Sequence, residues 1–249
     1  MLRKLLKNSF LILVWLGLWA AAAALVNRTL LLPSPLETAG AFASLAESGA
    51  FWLAAALSVS RILSGFALGV AAGSALAVLS ARSPWGQAFF SPLLSVVKST
   101  PVASFILLAL VWIRTSGVPV FATFLIVLPI AYANVLTGIA STDPLLLEMG
   151  RAFGMKRRAL LAKIYWPSVR PSFLAAVTTG MGMAWKAGVA AEVICTPKNA
   201  LGSLLYDAKI YLDTPGLFAA TAAVILLSVL LEKLIVLLAY GREGRKARA

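Results

Sequence analysis

Six stretches of mostly apolar residues, at roughly 9–31, 52–79, 87–112, 117–140, 172–194 and 216–240, are each long enough to cross a bilayer as a helix. A crossing takes about 20 such residues, and the helix is the form in which one segment satisfies all of its own backbone groups away from water. Of the 249 residues 61% are apolar and 12% charged, a balance foreign to a soluble domain of this size. The longest connections, 32–51, 141–171 and 195–215, are too short to hold a further domain. The expectation is therefore one all-α membrane bundle of six transmembrane helices, a single domain over residues 1–249.

The net charge of +13 would suit a nucleic-acid partner in a soluble chain, but its distribution points to the membrane and to no nucleic acid. With the N-terminus in the cytoplasm, the inner segments hold Arg3, Lys4, Lys7, Arg82, Arg151, Lys156, Arg157, Arg158, Lys163, Arg170, Arg242, Arg245, Lys246 and Arg248. The outer loops then hold only Arg28, Arg114, Lys198 and Lys209, so the positive-inside rule sets both termini in the cytoplasm of a bacterial inner membrane. The start, Met1–Lys7 with an apolar run to Ala20–Ala24, also fits a secretory signal, but the run continues through Leu32, which reads as a first span. With Cys195 alone and no histidine, an internal disulfide, a cysteine or histidine zinc site and a histidine triad are all excluded. A Gly-rich phosphate loop ending in Lys-Ser/Thr is missing too, so the chain itself is expected to bind no ATP and to be no enzyme.

Within the spans, Arg61, Gly65, Gly69 and Gly73 recur every four residues and form a ridge for close helix approach, inside one subunit or at a dimer seam. Pro101 and Pro129 predict kinks in the third and fourth spans. Pro33–Glu37 reads as a turn, followed by a short interfacial helix over 37–48. The segment Thr196–Thr214, with Pro197, Asn199, Gly202, Asp207 and Asp213, reads as a polar outer loop that faces a partner.

The segment Glu148–Pro167, between the fourth and fifth spans, reads as a helical hairpin. Asp143 caps a first helix with Pro144 at its first position, running through Phe153. Gly154 then takes a left-handed turn, and a basic amphipathic helix follows until Pro167 interrupts it. This segment resembles the EAA coupling motif of the membrane subunits of binding-protein-dependent ABC importers. In that pattern Glu-Ala-Ala is followed after three residues by Gly, and about nine residues later by Ile-x-Leu-Pro. Glu148, Gly154, Ile164 and Pro167 stand at the matching positions; Met149-Gly150 replaces the two alanines, and Trp166 the leucine. Arg61–Gly69 and Ala184–Glu192 look like the nitrate, sulfonate and taurine branch of the same importers, so the resemblance covers nearly the whole chain.

The resemblance implies a type I permease fold that pairs with a second copy or a close relative. It also implies two cytoplasmic ATPase subunits that carry the ATP and Mg, an external substrate-binding protein, surrounding membrane lipid, and no cofactor or metal in this chain. Glu148 and Gly150 would then belong to the first coupling helix, Gly154 would form its turn, and Met155, Lys156, Arg157 and Arg158 would enter the ATPase groove, with Ile164 and Pro167 closing the motif. Contact with lipid headgroups is the other reading of those basic residues.

Lys186, Lys98, Arg61 and Glu192 are expensive in hydrocarbon and must face a partner, water or the membrane boundary. As a translocation path they favour a small anion such as a sulfonate or nitrate, with Lys186 first and Lys98, beside Ser99, Thr100 and Pro101, second. The other reading places Arg61 and Glu192 at outer helix ends, solvated or paired structurally. An ion-gradient-driven transporter would share the spans and the charges, but would have no use for the hairpin at 148–167.

Overall fold

In the computed structural model the described residues are 2–240, with side chains at 10–238. The side chains of Arg3, Lys4 and Lys7, and residues Arg242, Arg245, Lys246 and Arg248, lie outside the described residues. Helices are the regular elements among the described residues: α1 (Leu2–Val26), α2 (Pro35–Glu47), α3 (Gly49–Ser80), α4 (Pro84–Ser99), α5 (Val102–Ala109) and α6 (Val118–Ala140). They continue with α7 (Pro144–Ala152), α8 (Arg157–Leu160), a π-helical turn (Leu161–Tyr165), α9 (Trp166–Cys195), α10 (Leu201–Ile210) and α11 (Thr214–Tyr240).

The expected order of apolar segments is present, and their forms differ. By length and composition three helices among the described residues can each cross a membrane, α3, α6 and α11, and the pair α4–α5 makes a fourth if read as one broken span. α9 is 30 residues long but carries Arg170, Lys186 and Glu192, and the apolar part of α1 is Phe10–Val26.

The third span is not a kinked helix. α4 and α5 meet at 96°. Pro101 has no N–H to continue the helix, and its ring drives the preceding Thr100 to an extended ψ of 130°, which ends α4 and lets Pro101 cap α5. Thr100 turns its hydroxyl back to the Val96 carbonyl at 2.8 Å, satisfying a group of the last turn. Pro129, by contrast, sits inside a continuous α6.

The core is a sandwich of α3 and α9 on α6. At Gly65 a Cβ would collide with the Val120 carbonyl, at Gly69 it would stand 2.8 Å from the Val127 Cβ, and at Gly73 it would collide with the Leu128 carbonyl. The glycine ridge is thus spent on packing within one chain, which removes the dimer-seam reading for that face. Gly188 of α9 similarly admits Ile62, and Gly138 admits Ser172. The largest apolar cluster joins Ile62, Val127, Met181, Trp185 and Val189 with Leu201 of α10 and Leu231 of α11.

At the opposite end from α7, the chain between α1 and α2 is pinned to α11. The Trp19 indole donates to the Pro33 carbonyl at 3.0 Å and stacks on Phe218 with ring centres 5.9 Å apart. α2 begins at Pro35 rather than 37, because Ser34 and Glu37 close a reciprocal capping box: the Glu37 N–H donates to the Ser34 hydroxyl, and the Ser34 N–H donates to the Glu37 carboxylate at 2.7 Å. The Ser34 N–H, the Ser34 hydroxyl and the Thr29 hydroxyl all donate to this carboxylate and hold it below its ordinary pKa.

Candidate functional site

Local chemistry builds the hairpin. Asp143 accepts the Leu145 N–H at 2.8 Å and Pro144 takes the first position of α7. At the other end Gly154 has φ +70°, and the Met155 N–H bonds the Gly150 carbonyl at 3.0 Å while the Gly154 N–H bonds Arg151 at 2.9 Å. These two bonds make a Schellman close, which needs a residue free to be left-handed. Nothing lies within 4 Å of a Cβ built at Gly154, so its requirement is conformational rather than spatial.

Gly150 is required for space. A Cβ there would lie 2.7 Å from Leu160 Cδ2, 3.0 Å from Ile164 Cδ1 and 3.2 Å from Met155 Sδ. α7 therefore folds flat on α8 and the π-turn, with Gly150 buried, Met155 and Ile164 half-buried and Glu148, Lys156, Arg157 and Arg158 exposed. The departure at Met149-Gly150 is thereby explained: Gly150 occupies the tight crossing, and Met149 points out, 50% exposed.

Pro167 does not interrupt the second helix. α8 runs through the π-turn Leu161–Tyr165 directly into α9, where Pro167 lies in the first turn, exposed. A π-turn bonds i to i+5 and widens the helix, which makes room for a ring that would clash in an α-helical turn. The Ser168 hydroxyl takes the Ile164 carbonyl at 2.8 Å. The hairpin and α9 are consequently one continuous piece.

Sequence reasoning missed the apolar side of the hairpin surface. Leu145 (71% exposed), Met149 and Phe153 (80% exposed) follow one another at four-residue spacing on α7 beside the basic tip. That spacing was the available signal. Exposed Phe, Met and Arg are enriched in protein interface cores, and an apolar row beside Lys and Arg is also the pattern of a helix lying at lipid headgroups.

The intramembrane charges divide into two kinds. Arg61 and Glu192 are brought together, Nη1 to Oε1 at 3.3 Å, with Glu192 fully buried. Glu192 Oε2 also accepts the Ser58 hydroxyl at 2.7 Å and the Gly202 N–H at 3.2 Å. The segment 196–214 is correspondingly not a free polar loop: it contains α10, and its start is docked, the Arg61 guanidinium donating to the Lys198 and Asn199 carbonyls at 3.1 and 3.2 Å.

Lys186 and Lys98 are exposed and have no hydrogen-bond or ion-pair partner among the described residues. Thr100, at the α4–α5 break, lines a small cavity with Ala122, Leu125 and Ile126 of α6, and Thr123 of the same turn reaches the Ala184 carbonyl at 3.5 Å, two residues from Lys186. No group of three or more metal-ligating side chains exists among the described residues.

Residues 65–241 match the family model described as binding-protein-dependent transport system inner membrane component. The chain is 30% identical over 207 residues to the putative aliphatic sulfonates transport permease SsuC of Escherichia coli K12, covering 83% of this chain and 77% of the relative. It is 24% identical to the taurine transport system permease TauC of the same organism, over 89% of this chain and 82% of that one. It is 30% identical to the riboflavin transport system permease RibX of Chloroflexus aurantiacus, over 90% and 87%. In fold it is similar to a chain of a bacterial alginate ABC transporter solved in complex with an alginate-bound periplasmic protein, with a TM-score of 0.54 at 15% identity over 98% of this chain and 95% of that one. The chain belongs to the family of inner membrane components of binding-protein-dependent transport systems, and it is a permease subunit of an ABC importer.

Proposed function

We propose that this permease carries a small anionic solute, of the sulfonate or nitrate class, and that the hairpin 143–167 couples it to cytoplasmic ATPase subunits. The observation that carries the reading is the hairpin surface: an exposed apolar row, Leu145, Met149 and Phe153, beside exposed Lys156, Arg157 and Arg158, on a piece continuous with a membrane helix. ATP and Mg belong to those partner subunits, and this chain is non-catalytic. Gly150 seats the first helix of the hairpin, on which Glu148 is exposed, Gly154 forms its turn, and Ile164 and Pro167 stand at its junction with α9. Closure of the ATPases would displace the hairpins and rock the attached helices between outward and inward arrangements.

Two like copies of the chain, both termini in the cytoplasm, would enclose the path. Lys186 is its leading residue: a cation exposed on a membrane helix without a partner cannot face lipid at low cost, and a twofold partner would bring a second lysine, which calls for water or an anion between them. Lys98, in the last turn of α4 beside the α4–α5 break, is the second. Two of the relatives are named for the transport of aliphatic sulfonates and of taurine, solutes that share the sulfonate group of such a cargo. The external binding protein would dock over the 196–214 segment.

Co-expression with the candidate ATPase and reconstitution tests the coupling. Wild type should bring the ATPase through purification and hydrolyse ATP; Gly154→Val, a β-branched residue at φ +70°, should lose both. If no ATPase associates, and the variant transports like wild type, a gradient-driven carrier replaces this reading.

A further inference from the structure

Between Thr196 and Gly202 the chain reverses and lays α10 back against α9. Two residues of this turn are left-handed, Thr196 at φ 45° and Asn199 at φ 51°, and for β-branched Thr that conformation is strained and persists only where its surroundings impose it. The surroundings are a closed polar network reaching across 131 to 143 residues of sequence. Ser58 donates to Glu192 and accepts the Leu201 N–H at 2.9 Å; Glu192 accepts the Gly202 N–H; Arg61 pairs with Glu192 and holds the carbonyls of Lys198 and Asn199.

We propose that Glu192, acting through Ser58 and Arg61, is the positioning residue of a permanent clasp. It fixes the 196–202 turn, and α10 with it, to the ends of α3 and α9, presenting one face of α10 to the external binding protein. The identity of that partner rests on the importer reading; the clasp does not. Glu192 is no open path residue: it is 0% exposed and both carboxylate oxygens are occupied from within the chain. At Gly202 a Cβ would collide with the Glu192 Cβ and the Val193 nitrogen, so the turn is seated directly on α9 backbone.

What the clasp holds out is exposed. Tyr206, Ile210, Tyr211 and Leu212 are 38, 55, 80 and 65% exposed, flanked by Asp207, Lys209 and Asp213. Aromatic and apolar groups with a charged surround have the composition of a docking face. A pre-ordered platform favours docking because its ordering cost is met before the partner arrives. The same α9 runs unbroken to the hairpin, so the platform and the ATPase handle are ends of one helix about 45 Å long.

The peptide bond that trypsin cuts after Lys198 is the one whose carbonyl Arg61 holds, so cleavage there reads the clasp directly. The full chain in nanodiscs, which leave both faces accessible, is treated with trypsin as wild type, Ser58→Ala and Glu192→Gln. Cleavage after Lys198 should accelerate about tenfold in both variants as the open population grows, with cleavage after Arg28 unchanged. In the ATPase complex, wild-type protection of Lys198 should be the same nucleotide-free and trapped with ADP–vanadate. With Ser58→Ala, the binding-protein concentration giving half-maximal stimulation of ATP hydrolysis should rise about tenfold, with the plateau kept within about twofold.

The clasp would be overturned if Lys198 stays protected in both variants, if Arg28 is released along with it, which would mean general unfolding, or if vanadate opens Lys198 in wild type, which would make the turn a gate. An unchanged half-maximal concentration overturns the platform. A wild-type complex that binding protein never stimulates overturns the importer reading instead, and the trypsin results still decide the clasp.

Discussion

Gly150 and Ile164 are in direct contact across the hairpin, so close that a Cβ on the glycine would stand 3.0 Å from Ile164 Cδ1 and 2.7 Å from Leu160. Gly150→Leu should therefore prise α7 off the π-turn at a cost of about 1–3 kcal/mol. Since the tip presents Phe153 and Arg157 only while α7 lies flat, the variant should lose most of its co-purifying ATPase. Gly150→Ala should lose less, which a side-by-side pull-down measures.

The Arg61–Glu192 pair should behave as a buried pair with an unequal response to its two halves. Arg61→Met leaves a fully buried carboxylate with only Ser58 and Gly202, and should destabilise the chain by about 3 kcal/mol or more. Arg61→Met/Glu192→Met should recover part of that loss. Denaturant unfolding of the four proteins of the cycle gives the coupling, and additive single effects would show that the pair contributes nothing together.

Glu37 gives α2 a pH dependence of known sign. Its pKa is lowered in the fold by the Ser34 backbone and hydroxyl and by Thr29, so the capping box contributes fully above the ordinary carboxylate value. That contribution fades as pH falls through the lowered value, when the carboxylate gains its proton and ceases to accept. Amide exchange in the first turn of α2 should accelerate below that point and not at neutral pH. Glu37→Gln should abolish the dependence.

Lys186→Gln should lower uptake of an anionic solute such as an alkanesulfonate about tenfold or more, the usual effect of losing one contact to a charged group. Lys186→Arg should retain more of it. Because Lys186 has no partner among the described residues, the amount of folded permease and its bound ATPase should not change. Radiolabelled uptake normalised to protein tests this, and equal uptake by all three removes Lys186 from the path.

What could be read along the chain was whatever depends on neighbours in sequence. Apolar run length set the membrane helices, since lipid leaves a backbone few other ways to satisfy itself. Asp143–Pro144 and Gly154 set the ends of α7, since caps and left-handed turns are decided within a few residues. The tertiary structure decided what neighbours cannot. Pro101 and Pro167 are the same residue: at Pro101 the preceding Thr100 could become extended and the span breaks by 96°, whereas at Pro167 a π-turn absorbs the ring and the helix continues. Ser58 and Glu192 carry no mark in sequence of the bond between them, 134 residues apart. Hydropathy could only say that such a carboxylate needs a partner, because desolvation is costly. Which partner it finds depends on how α3 and α9 stack on α6, and that is fixed by packing at Gly65, Gly69, Gly73 and Gly188.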